Sequence, residues 1–529
     1  MRFLRRRKKL SAAMLVVLIV VIGAATLAIR FVASFSPVPL VISKETTYIT
    51  KPLRSDGTPD YVAAMNRRLS AGVTPKNNAA ALFWRAAGPR PIPKDCRTKY
   101  FRMLGIPQPP DKGDYFVTSE TWIERRKPKK DPVMAQPSTD DDDPLSKLLE
   151  PMSRPWSKKE FPSSAEWLAA NEKPLAIIVE GCNRPRLYDP VVLVKADEET
   201  LIQALQPDPQ QCRDFARCLV LRAMLYVKEG KTDKAWSDLL ACHRLARLAG
   251  QGPFVVEALV AITIEAMAMK GDEALLRHAK LTAPQIARMQ QDLAGLAPIP
   301  RMLDVLDQGE RLMALDLALW TSRLATLDRR KAAANVGFPL APGIDRNIVL
   351  RGTNSWYDRL VAAIAEPTCA KRRNTMAEVD RGLSQQVATA KGWTSLASQV
   401  IDRRVAVSTR VGLLFARMMV SAVDGASTAE DRATMQFDVT KLAFALAAYH
   451  ARHSRYPAKL ATLVPKYVKE VPKDIFNNDA DLHYLREGDG YLLYSVGDNG
   501  KDDGGKTRDD AKNGENWDDL VVRMSAAKP

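Results

Sequence analysis

Residues 442–457 read LAFALAAYHARHSRYP, and residues 490–505 read GYLLYSVGDNGKDDGG. In the first stretch Leu442, Leu446 and Tyr449 recur at helical spacing. Tyr456-Pro457 stops that helix, because proline lacks an N–H and restricts the residue before it. Leu460, Leu463 and Val464 then make a short apolar turn, and Pro465 and Pro472 bracket Lys466 to Val471. Leu482 to Leu485 and Tyr491 to Val496 are aromatic and β-branched runs separated by Glu487-Gly488-Asp489-Gly490, which predicts a hairpin. The predicted order is helix, ordered loop, antiparallel strands, acidic loop and a last short strand at Leu520 to Arg523.

The loop after Ser495-Val496-Gly497 is dense in oxygen donors. Hard cations take several such ligands, and Asp498, Asn499, Asp502, Asp503, Asp509, Asp510, Asp518 and Asp519 could supply them. A solvated acidic loop is the alternative. Gly500 to Thr507 also satisfies the bare phosphate-loop pattern, but its context argues against nucleotide. No helix is predicted to open at Lys506-Thr507, and Asp502 and Asp503 would repel phosphates. An Asp-x-Asn-x-Asp-Gly calcium loop does not fit either, because Gly504 falls one place late and the terminal bidentate Glu is missing.

The element order, with Tyr456-Pro457, Leu460, Leu463, Val471-Pro472-Lys473-Asp474, Tyr484 and Leu493-Tyr494-Ser495-Val496-Gly497, resembles the C-terminal part of the major pseudopilins (G subunits) of type II secretion systems. The resemblance covers roughly residues 405 to 525. It implies a calcium ion in the loop after the strand, held by aspartates and backbone carbonyls, with Asn499 nearest the family's loop aspartate. The expected ligand set is Asp498, Asn499, Asp502, Asp503, Asp518 and Asp519. The family's leader ending in Gly and its Phe-Thr-Leu-Ile-Glu-like start are not found in Met1 to Ser11, so prepilin processing and polymerisation are not expected. Val411 to Val420, Ala429-Glu430-Asp431-Arg432 and the helix from Phe437 look like a shortened, internal pilin helix.

Toward the N-terminus, Arg2, Arg5, Arg6, Arg7, Lys8 and Lys9 precede the uncharged, mostly apolar run Leu10 to Ile29. A helix of that length spans about 30 Å, the thickness of a bilayer's hydrocarbon. The basic cluster predicts a single-pass protein of the cell inner membrane, its N-terminus cytoplasmic and its bulk extracytoplasmic. An uncleaved signal-anchor is favoured over a signal peptide, because the apolar core is long and no small-x-small site follows.

The net charge of +17 includes the six cationic residues of that tail. The rest is dispersed without interleaved aromatics, which argues against a nucleic-acid groove. Cys96, Cys182, Cys212, Cys218, Cys242 and Cys369 have no framework or metal spacing.

Five segments follow: a basic tail (1–9), the anchor (10–29), a linker and loop-rich region with one short helix (30–163), a helical-bundle body (164–404) and the pseudopilin-like module (405–529). In the loop-rich region Thr74-Pro75 is expected to cap a helix over Ala79 to Ala87. Arg125 to Lys130 and Asp140 to Asp143 read as opposed charge runs in a loop. In the body Ser164 to Asn171, Asp214 to Glu229, Thr232 to Leu248 and Phe254 to Lys270 are predicted helices, the last three divided by Gly230, Gly250-Gln251-Gly252-Pro253 and Gly271. Thr282-Ala283-Pro284 caps another, Gln308 to Leu327 and Ser384 to Ala390 add more, and Gly337 to Gly352 reads as a loop.

Chemistry-bearing residues are sparse. His243, on the face of Trp236, Leu239 and Leu240, reads as a hydrogen-bonded core residue, and His450 with His453 lacks a third metal ligand. Glu257 and Glu265 lie in a very apolar helix, where pairing with Arg or a helix-capping bond is expected in place of an unpaired acid pair. No nucleophile elbow, zinc helix or dinucleotide loop is visible.

The expectation is therefore a mainly α chain with a C-terminal α+β module: a transmembrane helix, a helical-bundle body, and a pseudopilin-like helix with a small antiparallel sheet. Its expected role is non-enzymatic, structural or interaction-mediating, in envelope or secretion-related assembly. Partners would be the membrane and envelope proteins, with calcium as cofactor, no nucleic acid and no identified small-molecule substrate. The alternative is an envelope enzyme with its site in the helical body, which a deep polar pocket lined by Glu257, Glu265 or His243 would favour.

Overall fold

The structure, a computed structural model, describes residues 26, 38–126, 143–194, 200–204, 209–299, 301–327, 344–391, 403–511 and 515–524. Apart from Thr26, the expected anchor at 10–29 lies outside them, as do the tail at 1–9 and most of the two charge runs between 125 and 143.

Among its described residues, segment 30–163, expected to hold one short helix, contains five α-helices within its bounds: α1 (Tyr61–Leu69), α2 (Ala80–Ala87), α3 (Lys94–Leu104), α4 (Ser119–Arg126) and α5 (Pro144–Leu149). Two more follow, α6 (Pro162–Ala170) and α7 (Glu172–Gly181). Pro144 and Pro162 stand in the first turn of α5 and α6, where the missing N–H costs nothing and the fixed φ suits the helix. In α3 the buried Cys96, Tyr100, Phe101 and Leu104 recur near helical spacing. Tyr100 and Phe101 pack edge-on against Trp84 of α2, with centroids 5.5 and 6.0 Å away. Thr74 does not cap α2: its hydroxyl accepts from Asn77 N in a separate turn, and α2 begins at Ala80 with no side-chain cap.

The centre of the body is a trio of long helices, α8 (Pro209–Lys228), α9 (Thr232–Ala249) and α10 (Val255–His278). Phe215, Leu219, Leu239, Leu245 and Ile264 are fully buried in their shared core. Gly271, expected to end α10, lies inside it, because a Cβ there would come within 2.4 Å of Leu239 Cδ2. The glycine lets α9 and α10 approach closely, and the helix continues to His278. α11 (Ala283–Ala294) starts at the cap expected at Thr282, which the structure extends to a capping box closed by Gln285.

Met302–Val305 passes through a π-helical turn, Leu306–Glu310, into α12 (Arg311–Leu327). α13 (Arg346–Ile364) and α14 (Cys369–Lys391) follow. Of the loop expected at Gly337 to Gly352, residues 337–343 lie outside the described structure and Arg346 onward is helix. Gly352 permits a crossing: its Cβ position is 3.9 Å from the Cα of Gly412 on the next long helix.

That helix, α15 (Arg403–His453), has 51 residues, a length of about 77 Å at the standard rise. The shortened, two-part helix expected from sequence is one unbroken rod, since Ala429-Glu430-Asp431-Arg432 contains no breaker and Gly425 has open space around it. By length and composition alone α15 is long and apolar enough to cross a membrane. One face of it packs in the body: Leu413, Ala416 and Val420 lie with Trp356 and Leu360 of α13 and Leu383 of α14 in one core. Arg417 reaches Asp380 of α14 at 2.9 Å.

The distal end of α15 carries the sheet. β1 (Lys473–Asp474) pairs with β2 (Ala480–Asp481), and β3 (His483–Glu487), β4 (Gly490–Ser495) and β5 (Leu520–Met524) form an antiparallel sheet in that order. The register pairs Tyr484 with Leu493 and Leu493 with Val522. All six residues of β4 are buried, and Leu493, Val522 and Met524 join Val439, Leu442 and Leu446 of α15 in one core. The mainly helical chain with a small C-terminal antiparallel sheet agrees with the expected coarse architecture.

Candidate functional site

The acidic loop is positioned by two backbone devices. Asp474, fully buried, accepts from Phe476 N (3.0 Å), Ser495 Oγ (2.8 Å) and Val496 N (2.9 Å), tying the β1–β2 turn to the end of β4. Gly497 follows with φ +69°, and a Cβ there would lie 2.3 Å from the carbonyl oxygen of Asp518 and 2.8 Å from its Oδ1. Only glycine lets the loop cross the approach to β5 so closely.

This crossing brings three of the six expected ligands together. Asp503, Asp518 and Asp519 each place a carboxylate oxygen within 4.8 Å of the other two. Asp518 and Asp519 are buried. Asp519 accepts from Gly505 N at 2.7 Å, and Asp503 accepts from Asp518 N at 3.2 Å and Asn499 Nδ2 at 2.9 Å. Asp518 Oδ1 is buried without a hydrogen-bond partner among the described residues. Burial, together with the adjacent Asp498, pushes the Asp518 carboxyl up to about 6 against the pull of Arg432.

The other three are turned to different partners. Asp498 pairs with Arg432 of α15 and with Arg508, at 2.9 Å for the latter. Arg432 also reaches Asp518 Oδ2 at 2.9 Å, so a guanidinium from the long helix bridges these two carboxylates. Asp502 accepts from Tyr494 OH and Gly504 N, both at 2.9 Å. Asn499 presents its amide nitrogen to Asp503 and to Asn516 O, while its Oδ1 accepts from Lys501 N at 2.6 Å. The residues whose donor set fits a hard cation are therefore Asp503, Asp518 and Asp519, with Asp518 Oδ1 the oxygen that a cation would satisfy. Sequence reading did not identify Arg432, whose partners lie 66 and 86 positions away.

Gly497→Ala tests this geometry. Left-handed backbone strain and the approach to the Asp518 carbonyl are expected to cost about 2 kcal/mol or more, read as a lower melting temperature of the whole protein. Unchanged stability would show that the loop does not need its close crossing.

A second concentration of charge is sealed inside the body. His243 Nδ1 meets Glu265 Oε1 at 3.0 Å and its Nε2 meets Asp272 Oδ2 at 2.9 Å, with His243 and Asp272 fully buried. Arg247 pairs with the other oxygen of Glu265, and its guanidinium stacks on Phe437 of α15 at 4.9 Å. Burial alone would lower the imidazole, but Glu265 and Asp272 outweigh it and raise its pKa to about 9. At neutral pH the ring is therefore an imidazolium donating from both nitrogens. Glu265 is held below the usual carboxylate range, because His243 and Arg247 outweigh its burial, whereas burial raises Asp272.

Glu265 is thus paired with Arg, as expected, and Glu257 caps its own helix, accepting from Phe254 N at 2.9 Å. His450 stacks near Tyr456 and His453 on Tyr449, at 4.6 and 4.2 Å, so neighbouring aromatics engage both rings. Of the three residues whose presence in a deep polar pocket would favour an enzyme, His243 and Glu265 are enclosed in the core. Glu257 lines a pocket whose walls are mainly apolar. Comparison with known protein families, with curated proteins and with solved structures finds no match to this chain.

Proposed function

We propose that this chain is a membrane-anchored extracytoplasmic structural or interaction protein of the cell envelope, and that calcium stabilises its C-terminal, pseudopilin-like module. Two observations carry the calcium reading: carboxylate oxygens of Asp503, Asp518 and Asp519 lie within 4.8 Å of one another, and Asp518 has a buried carboxylate oxygen with no hydrogen-bond partner among the described residues. Arg432 pairs with one oxygen of Asp518, but leaving the other buried without a partner is costly, and a divalent ion is the oxygen-seeking charge that removes the cost. The six cationic residues before the apolar run at Leu10 to Ile29 support the anchor and its orientation. The long helix backing an antiparallel sheet, with the Tyr-Pro and Leu-Tyr-Ser-x-Gly motifs at its turns, supports the pseudopilin-like reading.

Calcium would be held by Asp503, Asp518 and Asp519 and would supply charge neutralisation. Asn499 and Asp498 would border the site, and Arg432 would continue to tie Asp498 to α15. In the full-length protein in detergent, calcium at about a hundredfold excess over its Kd is expected to add about 2.7 kcal/mol of stability, with Asp518→Asn abolishing the gain. A melting temperature and protease sensitivity identical in calcium and in chelator would overturn the metal reading. Envelope proteins co-purifying from solubilised membranes would support the assembly role. Recovery of this chain alone, with and without calcium, would count against it.

A further inference from the structure

The pocket that Glu257 lines lies between the N-terminal helices and the central trio, and no role assigned so far uses it. Five aromatic side chains face it: Phe83, Trp84, Tyr188, Phe215 and Phe254. Two acids lie among them, Asp189 and Glu257, and no described residue lining the pocket is Arg, Lys or His. Asp189 Oδ1 accepts from Trp84 Nε1 at 2.6 Å and Tyr100 OH at 2.9 Å, leaving Oδ2 without a partner among the described residues. Glu257 is placed by a glycine, since a Cβ on Gly252 would lie 2.6 Å from its Cγ. The cavity is about 70 Å³, several times the roughly 10–15 Å³ that one water needs by this measure.

We propose that this pocket binds a small organic cation, an ammonium group on a compact apolar body. Two carboxyl groups among aromatic side chains, with no basic residue among the described lining residues, suit an imported cation as countercharge. Ring faces add cation–π attraction to the carboxylate contact, and the apolar walls suit the ligand's body. Burial raises both acids, Glu257 to about 7, the direction expected of carboxyls lacking a countercharge.

The test uses full-length protein in detergent, titrated calorimetrically with benzylammonium, cyclohexylammonium and tetramethylammonium chlorides. Benzyl alcohol and cyclohexanol serve as neutral counterparts. At least one ammonium ion is expected to bind about tenfold or more tightly than any alcohol and to raise the melting temperature. Asp189→Asn and Glu257→Gln are each expected to weaken that binding about tenfold. Glu257→Gln keeps a carbonyl able to accept from Phe254 N, so the start of α10 is retained even if Asp189→Asn disturbs Trp84 and Tyr100. Equal affinity for alcohol and ammonium, binding unchanged in Glu257→Gln, or no binding by any of the three cations would each overturn the proposal.

Discussion

His243→Leu is expected to destabilise the body by about 3–5 kcal/mol, the cost typical of removing one partner from a buried ion cluster. The wild-type cluster holds two carboxylates, Glu265 and Asp272, against His243 and Arg247. Without the imidazolium, Asp272 is a fully buried carboxylate whose one side-chain hydrogen bond has gone. Glu265 keeps only Arg247. Unfolding by denaturant, followed by circular dichroism on the detergent-solubilised protein, gives the loss directly. Asp272→Asn combined with His243→Leu should recover part of it, because the uncompensated charge is then gone. A cost below about 1 kcal/mol would mean that the cluster is solvated or otherwise paired.

The same cluster sets a pH dependence. The His243 pKa in the folded protein is raised to about 9 from the ordinary histidine value of 6.5, so the folded state holds the proton more tightly than the unfolded state. Its contribution is fully present below pH 6.5 and is lost as pH rises through about 9. The shift corresponds to about 3 kcal/mol at about 1.4 kcal/mol per unit. Wild-type stability should therefore fall across that alkaline window, and His243→Leu should flatten this part of the profile.

Gly309→Ala is the second large effect, and its sign is opposite to that of an ordinary helix. Glycine to alanine in a helix interior usually gains up to about 1 kcal/mol. A Cβ on Gly309, however, would lie 1.5 Å from the carbonyl oxygen of Pro253. Backbone cannot swing aside as a side-chain end can, so a loss of about 3 kcal/mol is expected. The π-helical turn at Leu306–Glu310 holds this contact, and next to it Glu310 accepts from Val255 N at 2.7 Å, helping to start α10. Gly425→Ala is the matched control, since nothing lies within 4 Å of its Cβ position; it should be neutral or stabilising. Melting temperatures of the two variants moving in the same direction would refute the steric argument.

The C-terminal module was legible because its signals are local. Tyr456-Pro457 ends a helix, Gly488-Asp489-Gly490 turns a hairpin, and the apolar runs on either side are the strands. Glycine in the body misled for a physical reason. Gly271 and Gly352 read as punctuation, but both lie inside helices because neighbouring helices come too close for a side chain. Ending α10 at Gly271 also hid Asp272, the very next residue and half of the His243 pairing. Arg432 and the Asp189 pocket were invisible for another reason: each is assembled from segments far apart in the chain, and local pattern carries no record of which distant carboxylate or ring will meet them.

α15 has one mechanical consequence. Its first half is clamped by α13 and α14 and its last turns are the floor of the sheet, with no proline between Arg403 and His453 at which it could kink. A partner grasping the C-terminal module would therefore have hold of a stiff handle. Pull or torque applied there passes straight into the helical body instead of being absorbed by a swivel.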